Sequence, residues 1–192
     1  MITWTFKAPL AAISLIALTA CEGGQGVSFF AGALGSEPKP LSRADMAGGA
    51  VTLVAPSGFC IDSASLKQRF ALMARCDRLG APAAAAAAPL GVMTVSLSKV
   101  APGTTLPDPN VTGAALGLTE VSAPTGDENT QIFRANGPAP TDELDGRHWR
   151  ATALVNGQFM GVALYGPRGD AEVQEEGRSI IEAMLNRTRS VN

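Results

Sequence analysis

The sequence predicts an α+β fold, an antiparallel sheet packed by a C-terminal amphipathic helix. Three observations support this fold class. Short β-rich runs separated by glycine and proline turns occupy the middle of the chain. An Asn-Gly dipeptide between two alternating runs is typical of a tight hairpin, and the final stretch carries an apolar stripe at helical spacing. A helix lying on one face of an antiparallel sheet would bury both apolar surfaces.

Five strands, a short helix and two loops are predicted before the hairpin. Runs of β-branched and aromatic residues between turn signals predict strands over residues 51–54, 59–62, 69–77, 90–100 and 131–135. We expect a short helix at residues 112–118 and a loop at residues 136–146, which are rich in proline and acid. The six alanines between Pro82 and Pro89 are too few to overcome the cost of helix nucleation, so they predict a surface loop.

The clearest element is a hairpin formed by residues 148–155 and 158–165. Asn156 and Gly157 connect the two runs, and both tolerate the positive φ that a two-residue hairpin turn requires. Pairing Val155 with Gln158 then determines which residues lie opposite each other. One face of the hairpin is apolar and is expected to pack on the core; its residues are Trp149, Ala151, Ala153, Met160, Val162 and Leu164.

The other face of the hairpin has mixed polarity. In the predicted register His148 lies opposite Tyr165, and Arg150 lies opposite Ala163. This face is therefore either exposed to solvent or lines a groove. The basic residues beside a tyrosine make His148, Arg150 and Tyr165 a candidate site for a small anionic group. The alternative is a histidine at a strand edge with ordinary surface ion pairs.

A final helix is predicted after the turn at residues 167–169, with Asp170 as its N-cap. Acidic residues near its start and arginines near its end match the helix dipole. Apolar residues at helical spacing predict the face that lies on the sheet, namely Val173, Gly177, Ile180, Ile181, Met184 and Leu185.

The first twenty-one residues resemble the export signal of a bacterial lipoprotein. Lys7 supplies a positive charge, residues 8–17 are mostly apolar, and Leu18-Thr19-Ala20-Cys21 resembles the lipobox. A plain secretory signal shares the first two features. A transmembrane helix needs about 20 predominantly apolar residues, but here a proline and polar residues interrupt the apolar run. The cysteine directly after Leu-Thr-Ala favours lipidation.

This resemblance implies that residues 1–20 are a signal peptide and that Cys21 carries the lipid. Glycine-rich residues 21–49 then predict a flexible tether, and residues 50–192 a single domain. The protein is expected to be anchored in a bacterial membrane and to face the periplasm. In enteric lipoproteins an aspartate directly after the lipidated cysteine favours retention in the inner membrane. This chain has Glu22 at that position, which favours the outer membrane.

Export places Cys60 and Cys76 in an oxidising compartment, which predicts a structural disulfide between them. A reactive thiol pair or a metal site is the alternative, but the CxxC spacing or clustered histidines typical of these sites are absent from the sequence. Alternation through residues 69–77 predicts a core side consisting of Phe70, Leu72, Ala74 and Cys76. Cys60 is in conflict with its neighbours Phe59 and Ile61, which also favour burial. Either those two pack elsewhere or their strand is covered on both faces.

The order of these elements, with strands first and a long helix last, resembles that of the Mog1/PsbP-like domains. Such domains recur in small exported lipoproteins. The resemblance implies the α+β fold and nothing about a site.

Composition and motifs exclude several classes of function. The chain has 15 basic and 17 acidic residues and lacks the clustered lysines and arginines that nucleic-acid binding needs. It carries no GxSxG, P-loop, HExxH or GxGxxG motif, and its single histidine has no evident nucleophile partner. We therefore predict no catalytic residue and no cofactor. Asp142, Glu143 and Asp145 imitate part of a calcium loop, but the closing acid is missing, so no metal site is predicted.

These observations lead to two main hypotheses of function, and a hydrolase or redox enzyme is a third, less favoured one because the single histidine has no evident nucleophile partner. The first is a non-enzymatic lipoprotein that binds a partner protein of the cell envelope. The alternative is a lipoprotein that binds a small anionic ligand at His148, Arg150 and Tyr165. A deep pocket over the mixed face favours the ligand, whereas a flat or filled surface favours the partner.

Overall fold

The computed structural model describes residues 39–82 and 88–192. These residues form a seven-stranded antiparallel sheet, a two-stranded ribbon and a long C-terminal helix, which confirms the predicted α+β class. The strands are β1 (Arg43–Met46), β2 (Val51–Val54), β3 (Phe59–Ile61), β4 (Phe70–Arg75), β5 (Val92–Lys99), β6 (Thr119–Asp127), β7 (Thr130–Asn136), β8 (Leu144–Val155) and β9 (Gln158–Pro167). The helices are α1 (Pro109–Ala115) and α2 (Glu172–Arg189). The predicted signal peptide, Cys21 and tether residues 22–38 lie outside the described residues.

One face of the large sheet holds the main core. The strand order is β3-β4-β5-β9-β8-β7-β6, and α2 packs across β8 and β9 while also contacting β2. The apolar face predicted for the hairpin is buried beneath this helix, as are the alternate residues of β5. The core side chains of β5 are Met93, Val95 and Leu97.

The folded unit begins earlier than predicted. β1 pairs with β2, Met46 is fully buried, and the backbone of Leu41 exchanges hydrogen bonds of 2.9 and 2.7 Å with Ile61. The predicted boundary at residue 50 is therefore wrong, and residues 41–49 belong to the domain. Gly48 and Gly49, which favoured a tether, instead take positive φ in the connection from β1 to β2.

The predicted core side of β4 is also wrong. Ala71 and Met73 are fully buried, whereas Phe70 is 37% exposed. Cys76 is buried but lies just after the strand, in a short 3-10 turn at Cys76–Leu79, and outside the main core. The sequence favoured the other face because Arg75 and Asp77 fall on the same side as Ala71 and Met73. These two charges lie at the end of the strand and pair with each other at 2.7 Å.

The predicted disulfide is present between Cys60 and Cys76, whose Cα atoms lie 4.8 Å apart. Phe59 and Ile61 both point into the core, which puts Cys60 on the opposite face of β3. Cys60 pairs with Ala74, and Cys76 lies two residues beyond Ala74, so alternation places both cysteines on the same face. The conflict at Cys60 is thereby resolved.

The hairpin has the predicted register. Val155 pairs with Gln158, and both Asn156 and Gly157 have positive φ, of 46° and 69°. Its strands are longer than expected, since β8 begins at Leu144 within the predicted loop.

Strand β6 was not predicted from the sequence. It is an edge strand with two register shifts against β7, and most of its side chains are exposed. Glu120 and Ala123 have positive φ, and Pro124 lies within the strand. An irregular edge strand of this kind lacks the alternating pattern by which buried strands are recognised.

Helix α2 matches its predicted stripe, with Val173, Ile181 and Met184 fully buried. The carboxylate of Asp170 accepts a hydrogen bond of 2.8 Å from the N–H of Glu172, although the N-cap position itself is Ala171. No helix in the described parts of the chain is long and apolar enough to cross a membrane.

Candidate functional site

The face of the large sheet opposite α2 carries the mixed face of the hairpin. Two rows of three residues form its centre, namely Arg150, Ala163 and Thr94 in the first row and Thr152, Gly161 and Ser96 in the second. Strand β9 lies between β8 and β5 and contributes only Ala163 and Gly161 to these rows. Because both residues are small, a hollow remains between the side chains on either side.

The three residues predicted for this site come together as one hydrogen-bonded group. The Nδ1–H of His148 donates to the carbonyl of Gly146 at 2.7 Å, which leaves Nε2 as an acceptor. Arg150 Nε–H donates to that Nε2 at 2.8 Å, and its Nη2 donates to the Tyr165 hydroxyl at 3.2 Å. The His148 and Tyr165 rings also stack, with centroids 4.4 Å apart. The guanidinium of Arg150 is therefore held in one orientation.

His148 is neutral in this arrangement. Its pKa is lowered to about 4, chiefly by burial and also by the nearby charge of Arg150, while the hydrogen bond to Gly146 and the charge of Asp145 act in the opposite direction. His148 is fully buried, so it serves as a rigid acceptor for Arg150 and does not present a charge to solvent.

Helix α1, which packs on β6 and β7, and the loop before it border a half-open cavity of about 380 Å³ over the hollow. Asp108 begins α1, since its carboxylate accepts a hydrogen bond of 2.8 Å from the N–H of Asn110, and Pro109 occupies the first turn. Gly117, with φ of 66°, follows the last turn. The cavity wall is mostly apolar and includes Pro107, Val111, Ala115, Leu116, Phe159 and Ala163.

The polar groups of the cavity are incompletely paired. Thr112 and Thr152 line it and are only 8% and 4% exposed, yet their hydroxyls have no hydrogen-bond partner among the described residues. Arg150 also lines the cavity and is half-buried. The ion pairs of the described residues join Arg75 to Asp77 and Arg178 to Glu182, so no carboxylate neutralises Arg150 there.

The sequence predicted the group around Arg150 but not the cavity. Thr112 and Thr152 went unrecognised because nothing in their local sequence distinguishes them from other buried threonines. The small residues Gly161 and Ala163, alternating on the mixed face, were the one available sign of a hollow. The helix over it was expected at residues 112–118, and its Asp-Pro start at residues 108–109 was the missed signal.

A larger cavity of about 490 Å³ includes His148 in its wall. Two arginines belong to this wall, Arg134 and Arg147. Arg134 is already engaged, since its Nη2 donates to the carbonyl of Gln174 at 2.5 Å and its guanidinium lies 5.0 Å from the centre of the Trp149 ring. Three acidic residues share this wall, namely Glu120, Asp145 and Asp170. Because these acids offset its positive charge, this cavity is less suited to an anion than the one beneath α1.

Other predicted sites have simpler outcomes. Cys21, the predicted lipidation site, lies outside the described residues. Across residues 39–82 and 88–192, no three His, Cys, Asp or Glu side chains are grouped in a way that could hold a metal ion. The pKa of Glu143 is lowered, chiefly by a hydrogen bond from the Thr141 side chain, as fits a solvated acidic turn.

Comparison with known proteins gives similarity of structure only. No protein-family model and no curated protein sequence matches this chain. A mutant form of the protein Mog1 superposes with a TM-score of 0.47 at 14% identity, covering 75% of this chain and 92% of its own. The Saccharomyces cerevisiae Ran-binding protein Mog1p has a TM-score of 0.46 at 12% identity, covering 78% and 94%. Cyanobacterial PsbP from Synechocystis has a TM-score of 0.46 at 11% identity, covering 79% and 94%. These are the two kinds of domain named from the element order, and any functional proposal must rest on the residues of this chain.

Proposed function

We propose that this protein is a membrane-anchored, periplasm-facing lipoprotein that binds a small anionic ligand at the face formed by His148, Arg150 and Tyr165. The observation that carries the proposal is the orientation of Arg150, whose charge faces a cavity without a neutralising carboxylate among the described residues. A buried or half-buried charge is costly unless it is paired, so the site favours an anion. The lipid on Cys21 and the periplasmic location follow from the resemblance of residues 18–21 to a lipobox.

The cavity is also what favours a ligand over a docked protein. A flat or filled surface on the mixed face would favour partner binding, whereas about 380 Å³ is within the range of small-molecule sites. The arrangement provides no pair of acid and base near a nucleophile, so the proposed role is binding and not catalysis.

The ligand proposal is tested on the intact lipidated protein purified from membranes. Native mass spectrometry should show a bound small anion on the wild-type protein and its loss from Arg150→Gln. Arg147→Gln is the matched control, because Arg147 is exposed and lies three positions from Arg150, on the opposite face of β8. Recovery of a stoichiometric partner protein with an empty cavity would overturn the proposal and support the partner-binding hypothesis.

Anchoring has a separate test. Cells grown with radioactive palmitate should label the wild-type chain but not Cys21→Ser, and the labelled protein should fractionate with membranes. An unlabelled, unprocessed wild-type chain in the cytosol would refute the lipid anchor without bearing on the cavity.

A further inference from the structure

We infer that the ligand of the cavity beneath α1 is an amphiphilic monocarboxylate, whose acid group pairs with Arg150 and whose apolar chain occupies the space between α1 and the sheet. This inference rests on the proposed function and names the chemical class of its ligand. Three features of the site support it, namely the free donors of Arg150, the single charge of the cavity and its apolar wall.

The hydrogen bonds of Arg150 leave free the Nη end of its guanidinium, which is the part that suits a carboxylate. Two of the five N–H donors of an arginine are used here, one at Nε by His148 and one at Nη2 by Tyr165. Both Nη atoms therefore keep a free donor. Two parallel donors on a planar group match the two oxygens of a carboxylate and hold it bidentately.

The charge of the cavity limits the ligand to one negative charge. Among the described residues, Arg150 is the only cationic one in its wall, and none that lines it is acidic. A ligand with two negative charges would leave one of them unpaired against an apolar wall, which costs free energy. A monocarboxylate is neutralised by this single guanidinium.

The apolar wall explains the rest of the ligand. Val111 and Leu116 form the α1 side of the cavity, which we call its roof, and are 60% and 51% exposed. They are two of the few large apolar side chains left open to solvent in the described residues. Opposite them, Phe159 and Ala163 belong to the floor. An apolar chain between roof and floor would remove this surface from water, which a small hydrophilic anion could not do.

Two hydroxyls of cavity residues have no hydrogen-bond partner among the described residues. Thr152 is two residues from Arg150 on the same face of β8, a separation of about 7 Å along a strand. Thr112 belongs to the same cavity wall from α1. Both oxygens are shielded from solvent, so the head group is assigned to Arg150 alone.

The test is calorimetric titration of the full lipidated protein in nanodiscs, with empty nanodiscs as the blank. The probes are decanoate, acetate and decanol. Decanoate should bind at least tenfold more tightly than acetate, because only decanoate fills the apolar wall, and at least tenfold more tightly than decanol, because only decanoate has the charge.

Variants separate the two halves of the ligand. Arg150→Gln should weaken decanoate binding at least tenfold, while Arg147→Gln leaves it unchanged. Leu116→Ser should weaken decanoate several-fold without affecting acetate. Val191→Ser is its control, since Val191 is 47% exposed and does not line the cavity. All four positions have solvent-accessible side chains, so these variants are expected to fold.

The outcomes distinguish the inference from the proposal beneath it. If acetate binds as tightly as decanoate and Arg150→Gln abolishes both, the site binds anions but the amphiphile is wrong. If decanol binds as tightly as decanoate, the carboxylate is wrong. If no probe binds and no co-purified anion depends on Arg150, the proposed function itself fails.

Discussion

Gly177 occupies the middle of α2, a position where glycine is unfavourable by about 0.8–1.0 kcal/mol relative to alanine in helix propensity. On propensity alone, Gly177→Ala would stabilise the protein. The structure predicts the opposite sign. A Cβ at this position would lie 2.3 Å from Cδ1 and 2.9 Å from Nε1 of Trp149, and real Cβ atoms do not approach other atoms so closely.

The indole of Trp149 cannot move aside at low cost. It is 6% exposed, its Nε1–H donates to the carbonyl of Gln174 at 3.2 Å, and the guanidinium of Arg134 lies 5.0 Å from its ring centre. Overpacking of this kind costs about 1–3 kcal/mol, and displacing the indole also loses a hydrogen bond of about 1 kcal/mol. After subtracting the gain in propensity, we expect Gly177→Ala to destabilise the protein by roughly 1–3 kcal/mol.

Thermal and urea unfolding followed by circular dichroism measure this change. For a domain of this size, each kcal/mol corresponds to about 2–4 °C in Tm. Ser179→Ala, at an exposed position of the same helix, is the control for propensity and should be neutral or slightly stabilising. In a Trp149→Val background, where the clash is absent, Gly177→Ala should become stabilising. An increase in Tm for Gly177→Ala in the wild-type background would refute the close approach of α2 to Trp149.

Thr152→Val should stabilise the ligand-free protein by about 1 kcal/mol, because it removes a buried hydroxyl with no partner among the described residues; a lower urea midpoint would contradict this. Replacing Cys60 and Cys76 together by alanine should cost about 3 kcal/mol, as expected for a closed loop of about 15 residues; the double variant should have a lower Tm that no longer responds to reductant, and an unchanged Tm would refute a stabilising bridge. Stability should fall as pH decreases from 6.5 towards 4, because the pKa of His148 is lowered from 6.5 to about 4 on folding and the unfolded chain therefore binds the proton first. The loss is on the order of 3 kcal/mol; His148→Gln should flatten this part of the pH profile, and an equal slope in that variant would assign the pH dependence to other groups.

Elements with a strong local signal were predicted well. Asn156 and Gly157 specify one turn type, and that turn determines the register of β8 against β9, so the pairing of His148 with Tyr165 followed from the sequence. The face of α2 was also predicted, since its apolar residues recur at the helical period. The Cys60–Cys76 disulfide was predicted because these are the two cysteines that follow Cys21 in the sequence.

Elements whose position depends on distant contacts were not predicted from the sequence. Residues 43–46 read as tether because their glycine-rich surroundings dominate the local pattern, and they become β1 only by pairing with β2. The phase of β4 is decided by what packs against Ala71 and Met73, and β6 exists as an irregular edge strand only because β7 supplies its partner. Propensity is weak in such segments, so tertiary contacts decide them.

The sequence by itself determined the α+β class, the hairpin with His148, Arg150 and Tyr165 on one face, the disulfide and the C-terminal helix, because each depends on short-range periodicity, turn chemistry or cysteine count. Only the tertiary structure decided that this face is roofed by α1, that Arg150 is oriented by a neutral His148, and that Thr112 and Thr152 share its cavity. The physical reason is that a cavity is the space between elements far apart in the chain, and no local pattern encodes the distance between them.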